Sequence, residues 1–124
     1  MIFKNFILVA LGGMIGSALR YLFSVLIKHN TFPLATLTVN IIGSLIIGVV
    51  MAVAAKQDGF GEWRLFLATG ICGGFTTFSA FSWECVNMLE QHRYGSFTLY
   101  VGGSLVLGLG ATLLGYWITK QIVL

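Results

Sequence analysis

The sequence predicts an all-α membrane protein with four transmembrane helices, on the evidence of its composition and its length. Of its 124 residues, 57% are hydrophobic and only 9% are charged, whereas charged residues make up about a quarter of a typical soluble domain. Crossing the hydrocarbon core of a bilayer takes about 20 apolar residues per helix. We therefore expect a single four-helix transmembrane domain over residues 1–124. Its approximate spans are 3–27, 33–55, 63–89 and 96–120.

The first span contains a pair of glycines and one charge. Gly12 and Gly16 are four residues apart and form a small-xxx-small face that lets another helix approach closely. Arg20 lies well inside the span, where a charge costs about 2.5 to 3.5 kcal/mol on insertion scales. Either its side chain extends toward the membrane surface near Lys28, or it is an electrostatic anchor beside an anion vestibule. The sequence alone leaves both roles open.

The second span begins at the chain's only proline, Pro33, and carries a polar stripe along one face. Thr36, Asn40 and Ser44 recur every four residues, which places them in line on a helix. The amide of Asn40 offers two N–H donors and is costly to leave unpaired in hydrocarbon. The stripe therefore predicts either an interhelical hydrogen bond or a polar path through the protein.

The third span is expected to be broken. Gly73 and Gly74 are followed by Thr76 and Thr77, and glycine and β-branched residues are weak helix formers. In a bilayer, the carbonyl groups freed by a break must be buried in protein or face a site, where they can coordinate a cation. The alternative interpretation is a packing helix that is merely kinked at its glycines.

Aromatic and hydroxyl side chains follow the expected break. Phe78 and Phe81 share one helix face, and Ser79 and Ser82 share another. Glu84 comes late in this span, and we expect it to reach the lipid headgroups rather than to pair with a charge on another helix.

The fourth span combines two polar residues with many glycines. Tyr100 and Ser104 are four residues apart, and the glycines that keep this helix slim are Gly103, Gly108, Gly110 and Gly115. Such small residues predict close helix packing.

The basic residues predict no clear orientation in the membrane. Four spans place Lys4, Lys56, Arg64 and Lys120 on one side, and Lys28 and Arg93, with Arg20 close behind, on the other. Orientation normally follows a clear excess of Lys and Arg on the cytoplasmic side. We therefore predict that the chain inserts in both orientations and forms an antiparallel homodimer. A C-terminal reporter found on one side only would contradict this prediction.

Three classes of function are compatible with this pattern. A passive channel for a small anion is favoured by neutral donors, which are the Asn40 amide and the hydroxyls of Ser79, Ser82 and Ser104, and by the ring edges of Phe78 and Phe81. Ring edges are electropositive, and conduction requires binding weak enough for release. We therefore expect these residues to line the pathway of such a channel. A proton-coupled exporter, similar to the small multidrug transporters, needs a carboxylate deep in the membrane, and only Glu84 approaches that position. An accessory subunit would explain the glycines but not the polar groups.

Other classes are not expected. Cys72 and Cys85 lie within one apolar segment without metal-ligand spacing, so we expect packing residues rather than a cysteine-based metal site. No nucleophile–base pair indicates an enzyme. The net charge of +3 reflects basic residues near helix ends and does not indicate nucleic-acid binding.

Three motifs resemble those of the Fluc (CrcB) fluoride channels. They are GSALRY at residues 16–21, TLTVNIIG at 36–43 and GGFTTFSAFS at 73–82. The third is the most specific, since it resembles the family signature GG-x-TTFSTF. The resemblance extends over essentially the whole chain.

The resemblance implies an antiparallel homodimer in the cell's inner membrane, with two pathways through which fluoride leaves passively, relieving its cytoplasmic toxicity. It also implies a structural Na⁺, which is not transported, held by the backbone carbonyls of Gly73 and Thr76 and of their symmetry mates. The matching pathway residues are Asn40, Phe78, Phe81, Tyr100 and Ser104, and the family's first-span arginine matches Arg20. Gly108 and Ala80 depart from the pattern, which puts the outer part of the polar track in doubt.

Overall fold

The computed structural model describes residues 1–28 and 31–123, and these ranges contain helices but no strand. Within them, four helical segments are long and apolar enough to cross a membrane: Ile2–Leu26, Leu34–Lys56, Gly61–Glu90 and Tyr94–Val123. We refer to them as the first to fourth spans. The expectation of an all-helical protein with four membrane-spanning helices is confirmed.

The third span is interrupted at Thr76 and Thr77, a pair that we call the break. Thr76 has φ −87° and ψ 159°, and Thr77 has φ −151° and ψ 116°, so both are extended. Before the break, Leu65–Cys72 forms a π-helix. After it, Phe78–Glu90 is α-helical, and the Thr77 hydroxyl accepts a hydrogen bond from the Ala80 amide as the N-cap of this helix.

The glycines before the break are helical, so the two threonines alone carry the interruption. Gly73 has φ −60° and ψ −38°. A Cβ atom added to Gly74 would lie 2.6 Å from the Gly13 carbonyl oxygen and 3.0 Å from the Ser17 nitrogen. Gly74 is therefore needed for contact with the first span. The predicted break in the third span is confirmed, and its extended residues are the two threonines.

The first span packs in parallel against the first half of the third span. A Cβ atom at Gly12 would meet the Phe66 carbonyl oxygen at 2.5 Å and the Gly70 Cα atom at 2.8 Å. One turn later, a Cβ atom at Gly16 would overlap the backbone near Ile71. Because both helices advance together along this contact, they run in the same direction, with the backbones touching where side chains are absent.

The second and fourth spans form the other parallel pair. A Cβ atom at Gly108 would lie 3.8 Å from Ser44 Oγ, and one turn later a Cβ atom at Gly48 would overlap the backbone of Thr112, so the two helices advance together. A Cβ atom at Gly115 would overlap the backbone of Leu45. The Thr112 hydroxyl also donates to the Ser44 carbonyl at 3.0 Å. These contacts fix the register of the fourth span against the polar stripe of the second.

Two polar contacts join the ends of the bundle. Lys4 Nζ lies 2.6 Å from Glu62 Oε1, which ties together the starts of the first and third spans. At the opposite end, Arg93 Nη2 donates to the Thr31 carbonyl. Lys4 and Glu62 lie in the first turns of their spans, whereas Thr31 and Arg93 lie in the segments that connect spans. The bundle therefore has a polar contact at each end.

The packing of Gly12 can be tested by comparison with its neighbour Gly13. We expect Gly12→Ala to lower the free energy of unfolding by about 1 to 3 kcal/mol, because the added methyl group meets backbone atoms that cannot move aside. Gly13→Ala is the control, since a Cβ atom there meets nothing within 4 Å. Thermal melts of both purified variants in detergent provide the measurement. Equal melting temperatures of the two variants would show that Gly12 does not pack against the backbone of the third span as described.

Candidate functional site

A cavity of about 400 Å³ lies beside the break, between the second, third and fourth spans. We call it the central cavity. Its lining includes six residues that the sequence predicted for a pathway or a cation site, the second residue of the break and one serine of the polar stripe. These are Asn40, Ser44, Gly73, Thr76, Thr77, Phe78, Phe81 and Ser104.

Asn40 holds the break through two hydrogen bonds. The Thr77 amide donates to Asn40 Oδ1 at 2.8 Å, and Asn40 Nδ2 donates to the Thr77 carbonyl at 3.2 Å. This side chain replaces the helical partners that an extended residue loses. Since an amide nitrogen carries two hydrogens, one N–H of Asn40 remains for a ligand in the central cavity.

The carbonyl groups of Gly73 and Thr76 lose their usual donors at the break. In an unbroken helix, the Thr77 amide would donate to Gly73 and the Ala80 amide to Thr76. Here the Thr77 amide donates to Asn40, and the Ala80 amide donates to the Thr77 hydroxyl at 3.1 Å. Both carbonyl-bearing residues line the central cavity. Carbonyl oxygens released in this way are suited to a small hard cation.

Phe78 and Phe81 provide the aromatic wall of the central cavity. Their ring centroids are 5.7 Å apart with an interplanar angle of 39°. Phe81 is partly buried and also packs on the ring of Tyr100, with the centroids 4.9 Å apart. Phe78 is 79% exposed in the single chain, so the wall that it forms is open on one side.

Ser104 contributes a hydroxyl group without a partner. Its Oγ atom is buried and has no hydrogen bond among the residues that the structure describes. On the next turn, Gly108 also lines the central cavity, and a Cβ atom there would lie 3.8 Å from Ser44 Oγ. The second span thus brings a hydroxyl near the position where Gly108 interrupts the polar residues of the fourth span.

Three residues expected in the pathway do not line the central cavity. Tyr100 is fully buried behind Phe81, and Ser82 is partly buried without lining the cavity. Ser79 is exposed, with its hydroxyl hydrogen-bonded to that of Thr77 at 3.2 Å. Helical spacing groups these hydroxyls with the aromatic residues, but the rotation of the helix turns them to other faces.

Glu84 points into the protein rather than toward the headgroups. Its carboxylate accepts hydrogen bonds from the Thr36 hydroxyl and from the Tyr100 hydroxyl, each at 2.8 Å. The expectation that it reaches the headgroups is wrong, because two hydroxyl donors on neighbouring spans hold it inside. The polar stripe carried a signal for this contact, since Thr36 lies one turn before Asn40 on the same face.

Arg20 also turns toward the break. Its Nε atom donates to the Gly74 carbonyl at 3.0 Å, and the side chain is partly buried. On this side of the break, a second cavity of about 280 Å³ is lined by Arg20, Thr36, Thr77 and Glu84, among others. Arg20 and Glu84 border the same space without forming an ion pair within 4 Å.

Comparison with known proteins places the chain in a family. A family model described as CrcB-like protein, Camphor Resistance (CrcB), matches residues 7–116.

Proteins named fluoride-specific ion channel FluC are similar over nearly their full length. The relative from Phocaeicola vulgatus is 42% identical over 120 residues, covering 94% of this chain and 99% of the relative. The relative from Thermus thermophilus is 45% identical over 123 residues, covering 97% and 98%. The one from Agrobacterium fabrum is 44% identical over 122 residues, covering 95% and 98%. Because the family match and these alignments span most of the chain, it belongs to the CrcB family.

Proposed function

We propose that this chain is a fluoride-selective passive ion channel of the inner membrane, which lets fluoride leave the cell and so lowers its cytoplasmic toxicity. The relatives named fluoride-specific ion channel support this function. Their names also agree with the expectation that the chain is not an enzyme. The four membrane-capable helices support a multi-pass membrane protein.

The observation that carries the proposal is the unpartnered Ser104 hydroxyl in the central cavity. A buried hydroxyl without a partner is costly, and a small anion is the partner that would accept its hydrogen. The free N–H of Asn40 and the rings of Phe78 and Phe81 line the same space. Hydroxyl, amide and ring-edge hydrogens are all electropositive.

The absence of a charged side chain from the central cavity suits conduction. Among the described residues, no charged side chain lines the central cavity. A full positive charge would bind fluoride tightly and slow its release, whereas a channel requires binding that is weak enough for exit. Fluoride would exchange part of its water for the hydroxyl of Ser104 and the amide of Asn40, then pass the ring edges of Phe81 and Phe78. A second copy that closes the open side of the central cavity would narrow the passage, which favours fluoride over the larger chloride.

The alternative of a proton-coupled multidrug-type exporter is less well supported. That mechanism requires a carboxylate free to exchange a proton and a cationic substrate. Glu84 instead accepts hydrogen bonds from Thr36 and Tyr100, and it does not line the central cavity.

An antiparallel homodimer of dual topology is part of the proposal. Phe78 lines the central cavity, yet 79% of its surface is exposed in the single chain. A second copy seated on this face would close the wall. The near balance of basic residues between the two sides is consistent with copies that insert in opposite orientations.

A structural Na⁺ fits the same arrangement. The carbonyls of Gly73 and Thr76 have lost their helical donors, and one chain supplies only these two, so their symmetry mates would be required to complete the shell. When bound, the ion would supply a fixed positive charge that neutralises the carbonyl dipoles at the dimer centre. Asn40 and the Thr77 cap hold the backbone that presents these carbonyls.

The function is tested by efflux from liposomes reconstituted with the purified protein. We expect fast fluoride loss and negligible chloride loss, because the central cavity offers donors in a narrow space. Ion-selective electrodes detect each anion, and a potassium ionophore carries the counter-charge. Protein-free liposomes are the control. Fluoride loss that requires an imposed proton gradient, or no fluoride loss, would contradict the channel.

The aromatic wall is tested by Phe81→Ile in the same assay. We expect fluoride efflux to fall by about two- to tenfold, since ring-edge interactions are worth roughly 0.5 to 1.5 kcal/mol. Phe6→Ile is the matched control, because Phe6 is 71% exposed on the first span and lies away from the central cavity. Equal efflux from the two variants would remove Phe81 from the pathway.

The Na⁺ site is tested by replacing sodium with a large organic cation during purification and assay. We expect both the dimer fraction, measured by light scattering, and fluoride efflux to fall together, because the ion joins the two chains. Restoring sodium should recover both. Dimers and efflux that are indifferent to sodium at every concentration would contradict the proposed ion.

A further inference from the structure

We propose that Arg20 is a positioning residue, which holds the break in shape through its Nε–H rather than through its charge. This inference deepens the proposed function, since the shape of the break matters to the channel only if the central cavity is the pathway. It also answers a question left open by the sequence, where a headgroup role and an electrostatic role were both compatible with Arg20.

The Gly74 carbonyl needs a donor from outside its own helix. In an unbroken helix it would accept from the Phe78 amide. The extended backbone at Thr76 and Thr77 separates the two groups. Arg20 Nε takes the place of that amide, donating to the Gly74 carbonyl at 3.0 Å. A carbonyl in a bilayer cannot turn to bulk water instead, so this bond has no ready replacement.

The first span is well placed to supply this bond. Gly12, Gly16 and Arg20 are spaced four residues apart and share one helix face. Gly12 and Gly16 bring the backbones of the first and third spans into contact. Arg20 continues that contact for one more turn and reaches Gly74, two residues before the break. The packing of the two helices thus fixes the position from which Nε donates.

Side chains on two different spans therefore restrain the break from both ends. Arg20 holds Gly74 on the N-terminal side, and Asn40 holds Thr77 on the C-terminal side. The carbonyls of Gly73 and Thr76 are presented at this restrained segment. Loosening either end would let the segment shift and alter the width of the central cavity.

Three substitutions separate the donor of Arg20 from its charge. In Arg20→Gln, the side-chain Nε2 atom occupies the same place along the chain as the arginine Nε, so a donor remains while the charge is lost. In Arg20→Lys, the charge remains but a methylene group replaces Nε. Arg20→Met has neither. Lys120→Gln is the matched control, since it removes one positive charge from an exposed position on the fourth span.

The first measurement is hydrogen–deuterium exchange of peptides covering residues 74–82 in the purified, full-length protein. We expect exchange about two- to tenfold faster in Arg20→Met and Arg20→Lys, the factor that corresponds to losing one ordinary hydrogen bond. Arg20→Gln should stay close to the unsubstituted protein, and so should Lys120→Gln. If Arg20→Met does not fold, the comparison of the Gln and Lys variants decides the question.

The second measurement is the reversal potential in a fluoride and chloride gradient, which reports selectivity rather than stability. Arg20→Gln should keep the selectivity of the unsubstituted channel, whereas Arg20→Lys should admit more chloride. Normal exchange and selectivity in Arg20→Lys, with both disturbed in Arg20→Gln, would assign the role to charge and overturn the proposal. Equal behaviour of the three variants would overturn it too. Failure of the unsubstituted protein to conduct fluoride would refute the proposed function alone, because exchange is measured without transport.

Discussion

The structure depends on one constraint, that the backbone polar groups of a membrane helix must find partners inside the protein. Interrupting the third span at Thr76 and Thr77 leaves amides and carbonyls without their helical partners. Asn40, Arg20 and the Thr77 hydroxyl satisfy most of these groups. Two carbonyls, those of Gly73 and Thr76, have their usual donors diverted to side chains. The break thus creates a polar centre in an apolar chain.

The glycines make these contacts possible by bringing helix backbones together. Gly12 and Gly16 seat the first span on the third, and Gly48 and Gly115 join the second span to the fourth. Each pair is parallel, so each fixes a register as well as a distance. Close contact on these faces sets where Arg20 and Asn40 emerge beside the break. The packing of the helices therefore determines the geometry of the site, because close contact at the small residues sets the positions of the polar side chains.

The proposed pathway relies on neutral side-chain donors rather than on a charged side chain. Its donors are a hydroxyl, an amide and ring edges, and the neighbouring carboxylate of Glu84 is kept apart by its own hydroxyl donors, Thr36 and Tyr100. Neutral donors give a weak site, which a passive pathway needs. The exposed face of Phe78 leaves the wall incomplete in a single chain, which agrees with a pathway built by two copies.

By itself the sequence determined the class of protein, the number of spans, the presence of a break and most of the residues that meet at it. These follow from composition, from length and from periodicity along one chain, all of which are local properties. Only the tertiary structure decided that the threonines, and not the glycines, are the extended residues of the break. It also decided that Glu84 turns inward and that Arg20 bonds to Gly74. Finally, it placed Tyr100, Ser79 and Ser82 outside the central cavity. Spacing places residues on a common face, but the rotation of each helix and the donors on its neighbours determine what that face meets.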